Sequence, residues 1–363
     1  MLKHTVMAAL SAAALAAGLL ATPTASLAAP KDKPNPAARH LAPVKTQFDL
    51  QAHRGGVGLN TESSIASFSA ALDLGVSTLE LDTQVTEDGK VVVTHDRKIN
   101  GTVCRDTAPA FTGDPQFPYV GKFITHLTLA QVKTLECGYQ PKPGFERQKA
   151  TIAPMFELKD VFALVKQRKA RQVMMNIETK VEAGAPQETT PREVFVRTVN
   201  DEIVKSGLQR QVTVQSFDWG ALMEMHRINP RMPLVALTNH DFLQVGEEGA
   251  SPWLGGIDAD DFGRDFVKAA ASIEGVTALS PVYGMPQNGK ISDPNFSLSV
   301  TPAMVAEAHA RGLRVIPWTC DDRDTMAALV DMGIDGLITD YPDVLREVMA
   351  ERGMRPPKAY PAR

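Results

Sequence analysis

Thr78-Leu79-Glu80-Leu81-Asp82-Thr83-Gln84-Val85-Thr86-Glu87-Asp88-Gly89-Lys90-Val91-Val92-Val93-Thr94-His95-Asp96 holds two inward-capable carboxylates, a turn signal and a histidine in one short run. Polar and apolar residues alternate from Thr78 to Asp82, so a strand of period two sends Glu80 and Asp82 to one face. Asp88-Gly89 is a two-residue hairpin signal, and Val91 to Val93 is a β-forming run beyond it. Counting outward from that turn pairs residue 87 with 90 and residue 82 with 95. His95 then stands opposite Asp82, on the face of both carboxylates. The inference hangs on the turn type, because a slip of one residue turns His95 away. A solvated edge-strand face is the competing reading; Leu79, Leu81 and Val91 to Val93 favour a half-buried sheet.

Upstream, a strand-like run ends in His53-Arg54-Gly55-Gly56, followed by Glu62. Downstream, residues 172–180, 212–217, 234–238, 277–282, 314–319 and 336–340 read as strands, and 191–206, 218–228, 301–311 and 323–332 as helices. Asp218 and Thr301 suit N-cap positions, and Pro302 suits a first helical turn. With the strands ending at His53 and Asp82 the count reaches eight. That alternation predicts an α/β fold, a (β/α)8 TIM barrel with an insertion, about 97–150, after the second-strand hairpin. An open doubly wound sheet is the architectural alternative. In a barrel, His53, Arg54, Glu80, Asp82, Glu178, Lys180, Gln215, Trp318 and Asp340 meet at the mouth formed by the strands' carboxyl ends.

Met175-Asn176-Ile177-Glu178-Thr179-Lys180 repeats the period-two pattern and sends Glu178 and Lys180 inward. Glu80, Asp82 and Glu178 make a three-carboxylate oxygen site, which suits a hard divalent cation, Ca2+ or Mg2+, better than zinc. Arg54 and Lys180 add positive charge that a phosphate would satisfy. An ion pair within the strand is the plainer reading of Glu178 and Lys180.

Lys3 and His4 precede a small and apolar run from Val6 to Ala21, and Ser26-Leu27-Ala28 offers small residues for cleavage. Residues 1–28 thus read as a secretory signal peptide, with a retained membrane anchor as the alternative. Residues 29–46 read as a flexible leader, 47–350 as the barrel domain and 351–363 as a C-terminal tail. The expected location is periplasmic or secreted. The 363-residue chain carries a formal charge of -4 and has no basic block, which argues against nucleic acid as a partner. Cys104 and Cys137 bracket the insertion and suit a disulfide, the alternative being two buried thiols; Cys320 reads as a buried small hydrophobe. His126, His226, His240 and His309 have no carboxylates at ligand spacing and read as surface or structural residues.

Taken in order, His53-Arg54-Gly55, Glu62, Glu80-Leu81-Asp82, Glu87-Asp88-Gly89, His95-Asp96, Ile177-Glu178-Thr179-Lys180, Gln215-Ser216-Phe217, Trp318-Thr319 and Gly336-Leu337-Ile338-Thr339-Asp340-Tyr341-Pro342-Asp343 resemble the glycerophosphodiester phosphodiesterase family. The resemblance runs from about residue 50 to 347. It implies a barrel of the phosphatidylinositol phospholipase C-like type, divalent-metal dependence, and hydrolysis of a glycerophosphodiester to sn-glycerol 3-phosphate and an alcohol. By position, His53 and His95 match the family's catalytic pair. Glu80, Asp82 and Glu178 match its metal ligands, and Arg54 and Lys180 its phosphate-binding cations. Where the family reads Pro-Glu-Asn-Thr, this chain has Thr61-Glu62-Ser63-Ser64, which leaves Glu62 to orient Arg54 or touch the metal. Gln215 and Trp318 are expected as supporting groups or substrate wall, with a core aromatic as the alternative for Trp318, and Asp96 and Asp340 as strand-end fixtures or functional groups. A phospholipase D-like enzyme acting on lysophospholipids or sphingomyelin, and a non-catalytic exported binding protein, are the competing functions.

Overall fold

The structure is a computed structural model that describes residues 47–362, so the expected signal peptide and leader lie outside the described residues. The described chain opens with β1 (Asp49–Ala52), α1 (Ile65–Leu74), β2 (Thr78–Val85) and β3 (Val91–Val93). An excursion carries β4 (Cys104–Arg105), α2 (Leu129–Val132) and β5 (Glu136–Cys137). Regular alternation follows through α3 (Leu158–Gln167), β6 (Met174–Thr179), α4 (Arg192–Ser206), β7 (Val212–Ser216), α5 (Trp219–Ile228), β8 (Leu234–Thr238) and α6 (His240–Leu243). The remainder is α7 (Phe266–Ala271), β9 (Val276–Pro281), β10 (Gly284–Met285), β11 (Ser297–Leu298), α8 (Pro302–Ala310), β12 (Arg314–Val315), α9 (Arg323–Asp331), β13 (Gly336–Thr339) and α10 (Pro342–Glu351).

Eight parallel strands form one sheet in the order β12-β9-β8-β7-β6-β2-β1-β13. Three backbone bonds bridge its two ends: Asp335 N to Val315 O at 2.9 Å, Ile338 N to Pro317 O at 2.9 Å and Cys320 N to Ile338 O at 3.1 Å. These contacts bring the first and last strands of the order together as a barrel, and the open doubly wound alternative falls. β12 is shorter than the expected 314–319 because Pro317 has no N–H to give. The chain nonetheless stays in step, with Ile316 N bonding Leu279 O and Trp318 N bonding Pro281 O.

Helix positions follow from local chemistry. Asp218 accepts from Gly220 N at the start of α5, and Thr301 accepts from Met304 N at the start of α8. α3 buries Leu158, Val161, Phe162 and Val165, the one-face spacing of an amphipathic helix. The large apolar core therefore lies outside the barrel wall, where Leu50, Leu79, Leu81, Met175, Ile177 and Val214 meet the helices.

Two expectations about β2 need correction. All eight of its residues are buried, so its polar face looks into the barrel lumen and the sheet is not half-solvated. The hairpin register also differs by one: Thr83 pairs with Val93 and Val85 with Val91, which leaves a three-residue loop of Glu87, Asp88 and Gly89. Gly89 takes the left-handed conformation (φ 69°) that such a loop requires. Thr94 N bonds Asp82 O, so Thr94 and not His95 stands across from Asp82. β3 ends at Val93, however, and beyond that end the chain still brings His95 to the barrel mouth.

The insertion has a small core of its own, built on Tyr119, Ile124, Leu127, Val132 and Leu135 and closed by the Cys104–Cys137 disulfide. It is stitched to the loop after β1 by Lys149 N to Leu59 O, Thr151 N to Thr61 Oγ1 and Gln148 Nε2 to Val57 O. The C-terminal tail folds back on the barrel, with Tyr360 N on Leu72 O. Cys320 is a buried free thiol, and among the described residues no helix is long and apolar enough to cross a membrane.

A cross-link spanning 33 residues contributes about 3 to 4 kcal/mol by loop entropy. Serine at both Cys104 and Cys137 is expected to speed tryptic cleavage within residues 97–150 while the barrel stays protected. Equal resistance of the wild-type and double-serine proteins contradicts this role.

Candidate active site

The turn after β1 sets the first groups in place. Arg54, Gly55 and Gly56 all have positive φ (51°, 84° and 90°), a conformation that costs a non-glycine residue about 1 to 3 kcal/mol. A Cβ on Gly55 would meet Ser67 Oγ at 2.5 Å, so α1 can approach only a glycine here. The tight turn aims the backbone N–H of Arg54 at Glu80 Oε2, 2.9 Å away. The Arg54 guanidinium lies 3.2 Å from Glu62 through Nη1 and 3.2 Å from Asp82 through Nε. Glu62 thus orients Arg54, and it stands apart from the carboxylate cluster.

Strand register builds that cluster. Asp82 on β2 is level with Glu178 on β6, and Glu178 with Gln215 on β7; Glu80 lies two residues deeper. One carboxylate oxygen each from Glu80, Asp82 and Glu178 falls within 4.8 Å of the other two, and all three side chains are buried. Lys180 Nζ sits 3.1 Å from Glu178 and 3.5 Å from Asp82, so the strand ion pair exists at the edge of the same cluster. Burial and Asp82 hold Glu80 well above the usual carboxylate range, and burial raises Glu178 to about 7. Burial also opposes ionisation of Asp82, but Lys180, His95 and Arg54 hold it low. Asp82 Oδ2 is buried and makes no hydrogen bond, its nearest charge being Arg54 Nε at 3.2 Å. Crowded, oxygen-only and partly orphaned, the three carboxylates fit a hard divalent cation.

Behind the cluster runs an amide network of which Gln215 alone was expected from sequence. Gln51 bonds Asn176, Asn176 Nδ2 also donates to Gln215 Oε1 at 2.6 Å, and Gln215 Nε2 donates to Glu80 Oε1 at 2.7 Å. Gln215 therefore fixes Glu80. The signal was present in the spacing: Gln51 and Asn176 sit two residues before His53 and Glu178, hence on the same inward face. The opposite side of the lumen is apolar, filled by Val235, Ala278, Ile316 and Ile338.

Each mouth histidine is braced by a carboxylate. His53 Nδ1 meets Asp340 Oδ1 at 2.5 Å, and His95 Nδ1 meets Asp96 Oδ1 at 2.7 Å. Both braces leave Nε2 free for chemistry. Burial and Arg54 push His53 down to about 3 and His95 to about 4, so both rings are neutral at pH 7. Asp340 is itself held by Asp321, whose Oδ1 accepts from the Asp340 backbone N–H at 2.8 Å. Burial, then Asp340, raises Asp321 to about 7. Asp321 was missed from sequence, although it lies just beyond the expected 314–319 strand.

A cavity of about 270 Å3 joins these groups. His53, Arg54, Glu80, Asp82, His95, Glu178, Lys180, Gln215, Trp318 and Asp340 all line it. Trp318 forms wall, its indole N–H donating to Ser280 O and its ring edge-on to Phe217. The insertion contributes Lys142 and Phe145, and the loop between β10 and β11 contributes Gln287 and Asn288. None of these four was read from sequence. His126, His226, His240 and His309 do not line the cavity; His226 and His309 pair with Glu274 and Asp335 elsewhere.

Known proteins share this arrangement of chain. A glycerophosphodiester phosphodiesterase of Caldanaerobacter subterraneus is 23% identical over 306 residues, covering 83% of this chain and 98% of the relative. The human lysophospholipase D GDPD1 is 26% identical over 312 residues, covering 82% of this chain and 85% of the relative. A crystal structure from Silicibacter pomeroyi, named for glycerophosphoryl diester phosphodiesterases, shares the fold with a TM-score of 0.70 at 23% identity, covering 87% of this chain and 98% of that one. The model of the glycerophosphoryl diester phosphodiesterase family matches residues 53–344. With that match spanning most of its length, the chain belongs to the glycerophosphoryl diester phosphodiesterase family.

Proposed function

We propose that the chain hydrolyses glycerophosphodiesters to sn-glycerol 3-phosphate and an alcohol, using His53 and His95 as proton carriers. One observation carries the reading: two carboxylate-braced imidazoles, two cations and a three-carboxylate cluster line the same cavity. A phosphodiester resists attack because its anionic oxygens repel nucleophiles, so charge must be neutralised and two protons managed. Arg54 and Lys180 are assigned to the phosphate oxygens. Glu80, Asp82 and Glu178 would hold the cation, Ca2+ ahead of Mg2+, and Gln215 keeps Glu80 in place. Bound there, a dication supplies Lewis-acid polarisation of a phosphoryl oxygen.

The braces define how the histidines work. A carboxylate on Nδ1 favours the tautomer with Nε2 unprotonated, which makes each ring a base before substrate arrives. One Nε2 takes the proton of the attacking hydroxyl, either that of water, which gives glycerol 3-phosphate directly, or that of the glycerol moiety, which gives a cyclic phosphate that a water molecule then opens. The other, protonated once the anionic phosphate lies beside it, returns a proton to the departing alkoxide as the P–O bond breaks. Trp318 and Phe217 form the wall against the organic part of the ester.

The human relative's name raises a second substrate class, lysophospholipids. The cavity is lined mainly by charged and polar side chains, which favours a small polar ester over a long acyl chain. We also place the protein outside the cytoplasm. The expected signal peptide and the Cys104–Cys137 disulfide support that location.

Turnover of glycerophosphocholine, followed by release of glycerol 3-phosphate, is expected to vanish with chelator and return with added Ca2+. Activity unchanged by exhaustive chelation contradicts the metal assignment. His53→Ala and His95→Ala are each expected to lower kcat by about a hundredfold or more at unchanged thermal midpoint. Near wild-type kcat in either variant removes that histidine from the reaction. Asp340→Asn is expected to reduce kcat on the order of a hundredfold with KM little moved, by losing the tautomer that His53 needs. A variant altered only in KM contradicts the brace.

A further inference from the structure

We propose that Lys142, supplied by the disulfide-closed insertion, is a third anion-binding cation of the active site, and that the insertion is thereby a working wall and not only a cover. The proposal rests on the phosphodiester reading above and extends it to a residue outside the barrel.

Lys142 lies in the cavity wall together with His53, Arg54 and Asp340. Its Nζ lies 2.6 Å from Glu62 Oε2, the same oxygen that Arg54 Nη1 approaches to 3.2 Å. One carboxylate oxygen therefore serves two cations. Glu62 is buried, whereas the Lys142 side chain is about a quarter exposed and lines the cavity, and Glu62 takes only one of the three donors of an ammonium. A lysine acts as a point charge on a flexible stem, and can reach a phosphate without leaving its carboxylate.

The local backbone holds the residue there. Lys142 N donates to Gln148 Oε1 at 2.7 Å, and Gln148 Nε2 donates in turn to Val57 O at 2.6 Å. Gln148 thus links the segment that carries Lys142 to the strained turn that carries Arg54. Gly138, just after the disulfide, packs so closely that a Cβ would meet Thr61 at 2.4 Å. The insertion is seated against the Glu62 loop from both ends of this segment. An arrangement this constrained does more than shield a mouth.

Charge gives the chemical expectation. A phosphodiester carries one negative charge, whereas glycerol 3-phosphate carries close to two at neutral pH. An extra ammonium at the mouth favours the more highly charged species and ignores neutral glycerol. Removing it lowers affinity for the phosphate and leaves the affinity for glycerol alone.

The test is calorimetric binding of sn-glycerol 3-phosphate and of glycerol to the full chain, wild type and Lys142→Met, with KM and kcat for glycerophosphocholine measured in parallel. Lys142→Met is expected to weaken glycerol 3-phosphate roughly ten- to hundredfold and to raise KM more than it lowers kcat. Lys142→Arg is expected to recover most of the affinity. An unchanged ratio of glycerol 3-phosphate to glycerol affinity in Lys142→Met overturns the proposal, even if the variant loses thermal stability, because the lysine then only tethers the insertion. If Lys142→Met does not fold, Lys142→Gln provides the same ratio from a polar side chain of similar length. Binding is read without turnover. A wild-type chain inert on every diester, yet binding glycerol 3-phosphate through Lys142, would refute the phosphodiester reading while supporting this one.

Discussion

Three carboxylates forced together inside a barrel are the constraint on which the rest of this structure depends. Parallel register makes Asp82 and Glu178 neighbours, and the next inward position down the same strand adds Glu80. Buried as they are, like charges at this spacing cannot all ionise without a counter-charge. The surrounding groups answer that demand unequally. Lys180 and Arg54 hold Asp82 ionised, while burial raises Glu80 and Glu178. A cluster in this state has the donor chemistry and the electrostatic need of a dication site.

Around that cluster the supporting structure is arranged by side. The half of the lumen formed by β1, β2, β6 and β7 is polar, with Gln51, Asn176 and Gln215 passing hydrogen bonds toward Glu80. The other half is closed by Val235, Ala278, Ile316 and Ile338. Such asymmetry puts charge on one wall of the mouth and apolar surface on the other, suited to an ester with a phosphate and an organic end. The strained turn at Arg54 belongs to the same design: its cost is met by Gly55 against α1 and by the bond from Arg54 N to Glu80.

Much of this was readable from residues alone. Alternation in 78–82 and 175–180 placed Glu80, Asp82, Glu178 and Lys180 on one inward face, and the run of strands and helices gave the barrel. His95 reached the mouth, but by another route than the count from Asp88-Gly89 implied. A three-residue loop shifted the ladder by one, and the end of β3 at Val93 offset the shift. Turn type is a local choice between near-equal options, which is why it escaped. The burial of β2 on both faces escaped for a different reason: a polar inward face and a solvated face have the same period. Asp321, Lys142, Gln287 and Asn288 depend on how loops fold over the mouth, and no periodicity records that.

The central claim is that Glu80, Asp82 and Glu178 hold one divalent cation between His53 and His95. Anomalous diffraction from crystals soaked in Mn2+, a stand-in for the native ion, measures it most directly. One strong peak is expected within about 2.6 Å of an oxygen from each of the three carboxylates. A protein that binds the ion elsewhere, or leaves this position without a peak at saturating Mn2+, contradicts it.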